Sequence, residues 1–290
     1  MPVAARGRAN RPPMTPSIAP SVPVHYIQGL RLVHALAEGS LPVALPPQQR
    51  ARLCLLCRRF GVRFVAIDSR TRPLAGLELV HSRPETRLVR ITRPLIFPHA
   101  VVDHCRSLWR SPREIRFAFA GLVTDRRARL LHDWIARNFP VLARRALPTP
   151  GRARALWEKL RRHLGVPPAG SSRRFGDLLL WSSERGRVFP WKAWDDDYFR
   201  LLARAEFVLC PSGDFVWSYR FFEAVLCGAI PVVEEACPAY AGFRFRTFAD
   251  TARTLVRDQH DAAANFAHAR ATLTVPAADL DAEVRHLLAA

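Results

Sequence analysis

The stretch EFVLCPSGDFVWSYRFFEAVLCGAIPVV, residues 206–233, constrains the fold more than any other part of the chain. An apolar run ends at Cys210-Pro211, and a short polar loop containing Gly213 follows. A segment of helical character then leads to a second apolar run, Ile230-Pro231-Val232-Val233. Strands that are apolar on both faces belong inside a parallel sheet covered by helices on either side. The neighbouring sequence repeats the alternation. IRFAFAG predicts a strand over 115–120, then a turn and an amphipathic helix with Leu130, Leu131, Trp134 and Ile135 on one face. DLLLWSS predicts a strand, DDDYFRLLARA a helix, and FADTARTLVRD and AADLDAEVRHLLAA two closing helices. The pattern predicts an α/β, doubly wound parallel sheet.

The region before Pro112 is less regular. PPQQRARLCLLCRRFGVRFVAIDS predicts a helix over 50–60, a stop at Gly61 and an extended segment over 62–67. ELVHS, TRLVRIT and PLIFP predict short strands. Between residues 140 and 172 lies an arginine-rich connection with a helix expected over 152–163. The expected division is a basic, Pro-rich disordered tail over 1–22, a first α/β domain over 23–112 and a second over 113–290.

In an open parallel sheet, ligands bind beyond the carboxyl ends of the strands, where loops enter helix N-termini. Two such turns carry polar chemistry. In the first, Ser218 stands at the N-cap position, and the free amides behind it suit a phosphate. Gly213 lets backbone approach an anion closely. Arg220 and Glu223 are three residues apart and share a helix face. A guanidinium there suits a diphosphate, and a carboxylate one turn later can accept from two ribose hydroxyls. The competing interpretation is a plain surface ion pair between the two. In the other turn, Gly121 follows a strand, and Thr124 caps a helix opening with Asp125, Arg126 and Arg127. That arrangement suits an anion or an ordinary capped helix equally.

The formal charge of +19 calls for an anionic partner or surface. The basic residues are nearly all arginine, with only Lys159 and Lys192 as lysines, and they are scattered rather than gathered in one stripe. Cys54 and Cys57 form a C-x-x-C, but no second pair lies at zinc spacing, so buried reduced thiols are expected. No apolar run reaches the roughly 18 residues that span a bilayer, and the N-terminus has no apolar core of a signal peptide. A cytoplasmic location is expected.

Taken together, Cys210, Pro211, Gly213, Ser218, Arg220, Glu223, Gly228, Ile230, Pro231 and Val232 resemble the C-terminal signature of exostosin-like glycosyltransferases. In that family a C-P-x-G loop precedes S-x-R-x-x-E and then G-x-I-P-V. FAFAGLVTDRRARLL is similar to the family's earlier F-x-G turn with a following arginine. The resemblance covers roughly residues 117–238. It implies a GT-B architecture: two Rossmann-like doubly wound parallel-sheet domains facing a cleft, the N-terminal one reduced. It implies a nucleotide-sugar donor, a uridine diphosphate sugar, and a glycan or small-molecule acceptor. Ser218 and Arg220 would address the diphosphate, Glu223 the ribose, and Thr124 with Arg127 the phosphate side from the opposite turn, beside Gly121 and Gly213. Neither a metal nor another cofactor is expected, since arginines and the helix dipole would stabilise the leaving group.

Two departures stand out. The first domain is short, and Pro231 occupies the position, eight residues after Glu223, where some GT-B enzymes carry a second glutamate. Glu234 and Glu235 are the candidates to substitute for it. The triplet Asp195-Asp196-Asp197 offers a rival D-x-D metal motif, but directly before a helix it is read as capping. For a general base the candidates are His25, His99, His104 and Asp103. The alternative function is a non-catalytic basic protein for nucleic acid or an anionic polymer. Nucleic acid is not expected as a partner of the enzyme. Peripheral association with an anionic membrane is compatible with the charge.

Overall fold

The computed structural model describes residues 16–140 and 170–289, with residues 156, 157, 160, 161, 164 and 166 between them. A six-stranded sheet dominates the second half. Its strands are β6 (Ile115–Gly121), β7 (Ser171–Phe175), β8 (Leu178–Ser182), β9 (Ala205–Cys210), β10 (Ile230–Val233) and β11 (Arg246–Thr247). They lie in the order β11-β10-β9-β6-β8-β7, parallel throughout except for the β7–β8 hairpin.

The pairing explains the double apolarity of these strands. Phe117 and Phe119 face one core with Phe207, Leu209, Ile230 and Val232, and α5 (Asp125–Asn138) covers it with Leu131, Trp134 and Ile135. Ala118, Ala120, Val208 and Cys210 face the other core, against α6 (Asp196–Arg204) and α7 (Tyr219–Leu226). Burying each large apolar side chain contributes about 1.5–3 kcal/mol, so both faces fix the sheet.

The first half is a smaller α/β unit. β1 (Ile18–Pro20) pairs in parallel with β2 (Arg72–Leu74), and single bridges join Ile18 to Val43 and Ala44 to Val65. β3 (Leu77–Val80), β4 (Glu85–Leu88) and β5 (Ile91–Arg93) form an antiparallel meander. Around them lie α1 (Ile27–Leu36), α2 (Pro47–Arg52), α3 (Cys54–Phe60) and α4 (His99–Ser107). One buried cluster runs without interruption from Leu30, Leu53 and Leu74 of this unit to Val208, Phe221 and Leu226 of the other. The two units therefore face each other across a cleft whose floor is shared core.

Several expectations need correction. Ile18–Pro20 is a strand with Ile18 fully buried, so the disordered tail expected over 1–22 does not hold for 18–20, and residues 1–15 lie outside the described residues. The expected helix over 50–60 is broken at Leu53, which closes α2 and opens α3, while Gly61 does adopt φ +68° after the helix. PLIFP forms no strand and leads into α4. The helix expected over 248–258 is absent because its backbone donors go elsewhere. Thr247 N–H donates to Asp250 Oδ2 at 2.6 Å, and Ala252 N–H to Asn138 Oδ1 at 2.6 Å.

Instead the chain forms α8 (Gln259–Leu273), whose alanine-rich sequence carries no clear apolar stripe. The final helix, α9 (Ala277–Ala289), crosses back onto α1 and β2. Ser40 N–H donates to the Asp281 carboxylate, and Arg90 pairs with Glu283 at 2.7 Å. Residues 277–289 thus pack onto the first unit, where the expected boundary assigned all of 113–290 to one domain. Cys54 and Cys57 are free thiols and only half-buried, unlike Cys105, Cys210 and Cys227. The helix expected over 152–163 falls largely outside the described residues, although Leu156, Trp157, Leu160 and Arg161 are helical. Among the described residues, no helix is long and apolar enough to cross a membrane.

Candidate functional site: a cleft at the sheet's switch point

β6 lies between β8 and β9, so the strand order reverses direction beside it, and the carboxyl ends of β6 and β9 lie side by side. Loops that leave a parallel sheet on opposite sides of such a point open a crevice between them. Here the crevice is a cavity of about 480 Å³ between the two units. Both turns singled out in the sequence border it, because one follows β6 and the other follows β9.

Arg220, in the first turn of α7, is only 9% exposed. Its Nε donates to the carbonyl of Ala120 at 2.6 Å, and its guanidinium lies 4.6 Å from the Phe119 ring centroid. Nη1 is buried with no partner. Gly121 accommodates this approach. It adopts φ +145°, and a Cβ there would strike the Arg220 guanidinium. The two turns thus meet through Arg220 and Gly121, which are 99 residues apart in the chain.

Ser218 occupies the N-cap position with extended backbone, but its hydroxyl does not cap. Its N–H donates to the Tyr240 hydroxyl at 2.9 Å, while Oγ is buried and has no partner. A buried hydroxyl and a buried guanidinium nitrogen left unsatisfied in one cavity wall are costly unless something binds there.

Glu223 is 7% exposed and accepts a hydrogen bond from Tyr198 Oη at 2.6 Å. The Arg220–Glu223 surface pair is thereby set aside: both side chains are buried, and each bonds to a different partner.

Arg127 ties the two turns together. Nε donates to the Ser212 carbonyl at 3.3 Å and Nη1 to the Leu122 carbonyl at 3.2 Å. Burial, followed by repulsion from Arg220 and Arg187, pulls its pKa down to about 10, so it remains a cation at neutral pH. A Cβ at Gly213 would come within 2.8 Å of Arg127 Nη2, so a larger residue there would have to displace the guanidinium. Thr124 caps α5 by accepting from Arg127 N–H at 3.4 Å, but it does not line the cavity. Glu234 anchors the same loop: its carboxylate accepts from Ser212 N–H at 2.6 Å and from Arg126 at 3.3 Å.

The acidic triplet is divided among three partners. Asp195 is buried and pairs with Arg185 at 2.8 Å, and burial raises its pKa. Asp195 sits at the N-cap position of α6 without a standard cap bond, while Asp196 and Asp197 stand in the first turn and oppose the positive end of the helix, as expected. Asp197 also meets Arg185, at 3.2 Å. Asp196 accepts from Trp194 Nε1 at 3.0 Å and pairs with Arg59 at 3.3 Å. Among the described residues, the one group of His, Cys, Asp and Glu close enough to share a metal is Asp258, His260 and Asp261. Arg244 already bonds to His260 at 3.2 Å and Asp261 at 2.6 Å.

None of the four base candidates lines the cavity. His25 packs at a tilt against Tyr26 with ring centroids 4.2 Å apart. His99 Nε2 lies 3.1 Å from the Val275 carbonyl, His104 packs against Phe60 and Trp194, and Asp103 faces solvent near Arg270. The cavity instead brings in His81 from the β3–β4 turn and Arg31 from α1. Arg31 is 3% exposed and donates to the Ala193 carbonyl at 3.1 Å. Its signal was present in the sequence as a lone charge in the greasy run IQGLRLVHAL, the same kind of signal that marked Arg220. His81 carried none.

The class of protein is thus set by fold and cleft: an α/β protein with a Rossmann-like parallel sheet and a cationic ligand cavity at its switch point. Residues 78–237, more than half of the chain, match the exostosin GT47 domain, and the chain belongs to that family. No curated protein sequence matches it significantly. Among solved structures it is similar to sucrose-phosphate synthase from Thermosynechococcus elongatus, at 12% identity and a TM-score of 0.37. That alignment covers 91% of this chain and 62% of the other, so the chain spans less than two thirds of that protein. It is also similar to Anabaena HepE, solved in complex with UDP-glucose, at 12% identity and a TM-score of 0.35, covering 94% of this chain and 72% of the other.

Proposed function

We propose that the protein is a glycosyltransferase that moves a sugar from a nucleotide-sugar donor, a uridine diphosphate sugar, to a glycan or small-molecule acceptor. The observation that carries this is the unsatisfied pair at the head of α7: Arg220 Nη1 and Ser218 Oγ, both buried in the cavity wall without partners. A diphosphate supplies the acceptors that both atoms lack. Glu223 lies one turn further along the same wall, where a carboxylate can accept from ribose hydroxyls. Arg127 lines the cavity between the two turns, beside Gly121 and Gly213, while Thr124 serves by fixing the start of α5.

Charge develops on the diphosphate as the sugar leaves, and fixed cations in a sheltered cleft stabilise it without rearranging. Arg31, Arg127, Arg187, Lys192 and Arg220 line the cavity together with the paired Arg185. In this scheme the chain's own cations carry the neutralisation and no metal is required. Their convergence on one cleft also favours an enzyme over a basic polymer-binding protein. In this scheme the acceptor enters from the side of the first unit.

The proposal extends to location. Leu156, Trp157, Leu160 and Leu164 are 73%, 56%, 49% and 67% exposed, in a stretch whose sequence is rich in arginine. Exposed apolar residues at helical spacing with basic neighbours suit the surface of an anionic membrane, here on its cytoplasmic side.

Isothermal calorimetry with uridine diphosphate tests the proposal. Binding by the wild type, and its loss in Arg220→Ala with an unchanged melting temperature, is the expected result. Equal affinity in both proteins overturns the assignment of the seat.

A further inference from the structure

His81 lines the cavity beside the head of α7, in direct contact with Trp217 and Tyr219. It stands in the turn between β3 and β4, half-buried in an aromatic box. Its ring stacks on Tyr26 with centroids 4.8 Å apart and on Tyr219 at 5.9 Å, and meets Phe215 and Trp217 edge-on at 5.4 and 5.5 Å. Trp217 Nε1 holds the turn by donating to the carbonyls of His81 and Ser82 at 3.2 and 3.3 Å. An imidazole fixed this firmly in a ligand cavity raises the question of which nitrogen carries its proton.

Tyr219 answers it by hydrogen-bond accounting. The Tyr219 hydroxyl lies 3.2 Å from the backbone nitrogen of Gln28, in the first turn of α1, and 3.2 Å from His81 Nδ1. A backbone N–H can only donate, so the phenolic oxygen accepts from Gln28 through one lone pair; its own proton needs an acceptor, and among the described residues His81 Nδ1 is the atom in hydrogen-bond reach that can take it. Burial and the neighbouring Glu223 push the Tyr219 phenol pKa well up, so the hydroxyl keeps that proton at any physiological pH. Nδ1 is then the acceptor nitrogen, and in a neutral imidazole the proton sits on Nε2. The ring is neutral at pH 7. Burial lowers its pKa below the ordinary histidine value, Lys192 adds to the lowering, and Asp214 opposes it in part. Tyr26 and Tyr219 are the titratable groups whose rings stack on it.

We infer that His81 is a neutral hydrogen-bond donor, clamped by Tyr219 in the Nε2–H form, and that it gives this bond to the diphosphate end of the donor seated on α7. This rests on the cavity being the nucleotide seat. It assigns to the first unit a contact with the donor, where the sequence pointed only to the second. A ring already protonated at Nε2 cannot also take the acceptor's proton there, so His81 is not the resting general base. The neutral form suits its neighbourhood: a further full cation beside Arg31, Arg127 and Arg220 would add repulsion, whereas an N–H dipole adds a directed bond without charge.

Long-range nitrogen–proton correlation spectra of histidine-labelled protein test the inference, with His81→Gln supplying the assignment. Expected at pH 7 is the pattern of a neutral ring protonated at Nε2, and its conversion to a mixture of tautomers in Tyr219→Phe. A protonated Nδ1 or an imidazolium overturns the clamp, whether or not any nucleotide binds. Uridine diphosphate is expected to shift the Nε2–H signal while uridine leaves it in place, and His81→Phe is expected to weaken uridine diphosphate about 10-fold, the lower end for a hydrogen bond to a charged acceptor. Unperturbed Nε2 with uridine diphosphate bound overturns the contact. Failure of the wild type to bind uridine diphosphate at all, with the tautomer as expected, counts against the nucleotide seat and against the contact, and leaves the clamp standing.

Discussion

The Tyr198 hydroxyl lies 2.6 Å from Glu223 Oε2 and donates its proton to it. Both residues are in the wall of the cavity, Tyr198 in α6 and Glu223 in α7, so the bond also joins two helices at the ligand's edge. Burial and Glu223 itself push the Tyr198 phenol far above its ordinary pKa, which keeps the hydroxyl a donor. Among the described residues Oε1 has no hydrogen-bond partner. One carboxylate oxygen is held and the other is available, the geometry a ribose clamp needs.

A clamp of this kind is read out by the ribose. Wild-type protein should bind uridine diphosphate more tightly than its 2′-deoxy analogue, by about 10-fold for hydrogen bonds to a charged acceptor. In Glu223→Ala the two ligands should bind alike, and in Tyr198→Phe the gap should shrink without closing. Calorimetry on the three proteins checks this. A gap that survives in Glu223→Ala would assign the ribose to another residue.

For Arg220→Ala the loss should be about 10- to 100-fold in uridine diphosphate affinity, as for a charge-assisted bond. Arg220→Lys should recover little of it, because a lysine cannot both bond the Ala120 carbonyl and present a second planar nitrogen to the cavity.

Gly121→Ala should damage binding from a residue that contributes no side chain. The new methyl strikes the Arg220 guanidinium, and φ +145° is strained for alanine. Strain of this kind costs about 1–3 kcal/mol, so a lowered melting temperature together with weaker uridine diphosphate binding is expected. Full stability and affinity in this variant would show that Arg220 has room to move.

His34 should make the fold acid-sensitive. It is wholly buried in α1, neither ring nitrogen has a partner, and burial, aided by Arg31, drives its pKa to about 3. Below about pH 6.5 the unfolded chain takes up a proton at this residue that the native state refuses, so stability falls as pH drops towards 3. Over that window the loss is on the order of 4 kcal/mol. Urea midpoints at pH 7 and pH 4.5 should differ more for the wild type than for His34→Leu; equal differences would mean that His34 finds a proton-compatible site.

Vesicles of phosphatidylglycerol and phosphatidylcholine should co-sediment with the protein in proportion to their anionic fraction. Replacing Leu156, Trp157 and Leu160 with serine should abolish the binding, and raised salt should weaken it. Wild-type protein that ignores anionic vesicles would remove the membrane from the proposal.

Much of the second unit was legible because its signals are local and redundant. β6, β8, β9 and β10 are short runs apolar on both faces, and Gly213, Ser218, Arg220 and Glu223 stand at fixed spacing between two of them. What the sequence concealed is set by distant partners. Ser218 looks like an N-cap, yet its hydroxyl is left unused; Asp195 opens α6 as its position suggests, but Arg185, ten residues earlier, is the partner its carboxylate pairs with. The helix expected over 248–258 had apolar spacing, but Asn138, more than a hundred residues earlier, captures one of its amides. His81 lies between two weak strands of a meander, and only the pairing of β3 with β4 and the packing of Tyr219 make it part of the cavity.

The return of α9 to the first unit also orders the protein's synthesis. Ser40 and Arg90 emerge from the ribosome nearly two hundred residues or more before Asp281 and Glu283, the carboxylates that receive them. Until those last turns are made, the faces of α1 and β2 that α9 covers lie bare. The sheet from β6 to β11 can form in the meantime. Translation therefore runs against the order of the chain: the half made first is the half finished last.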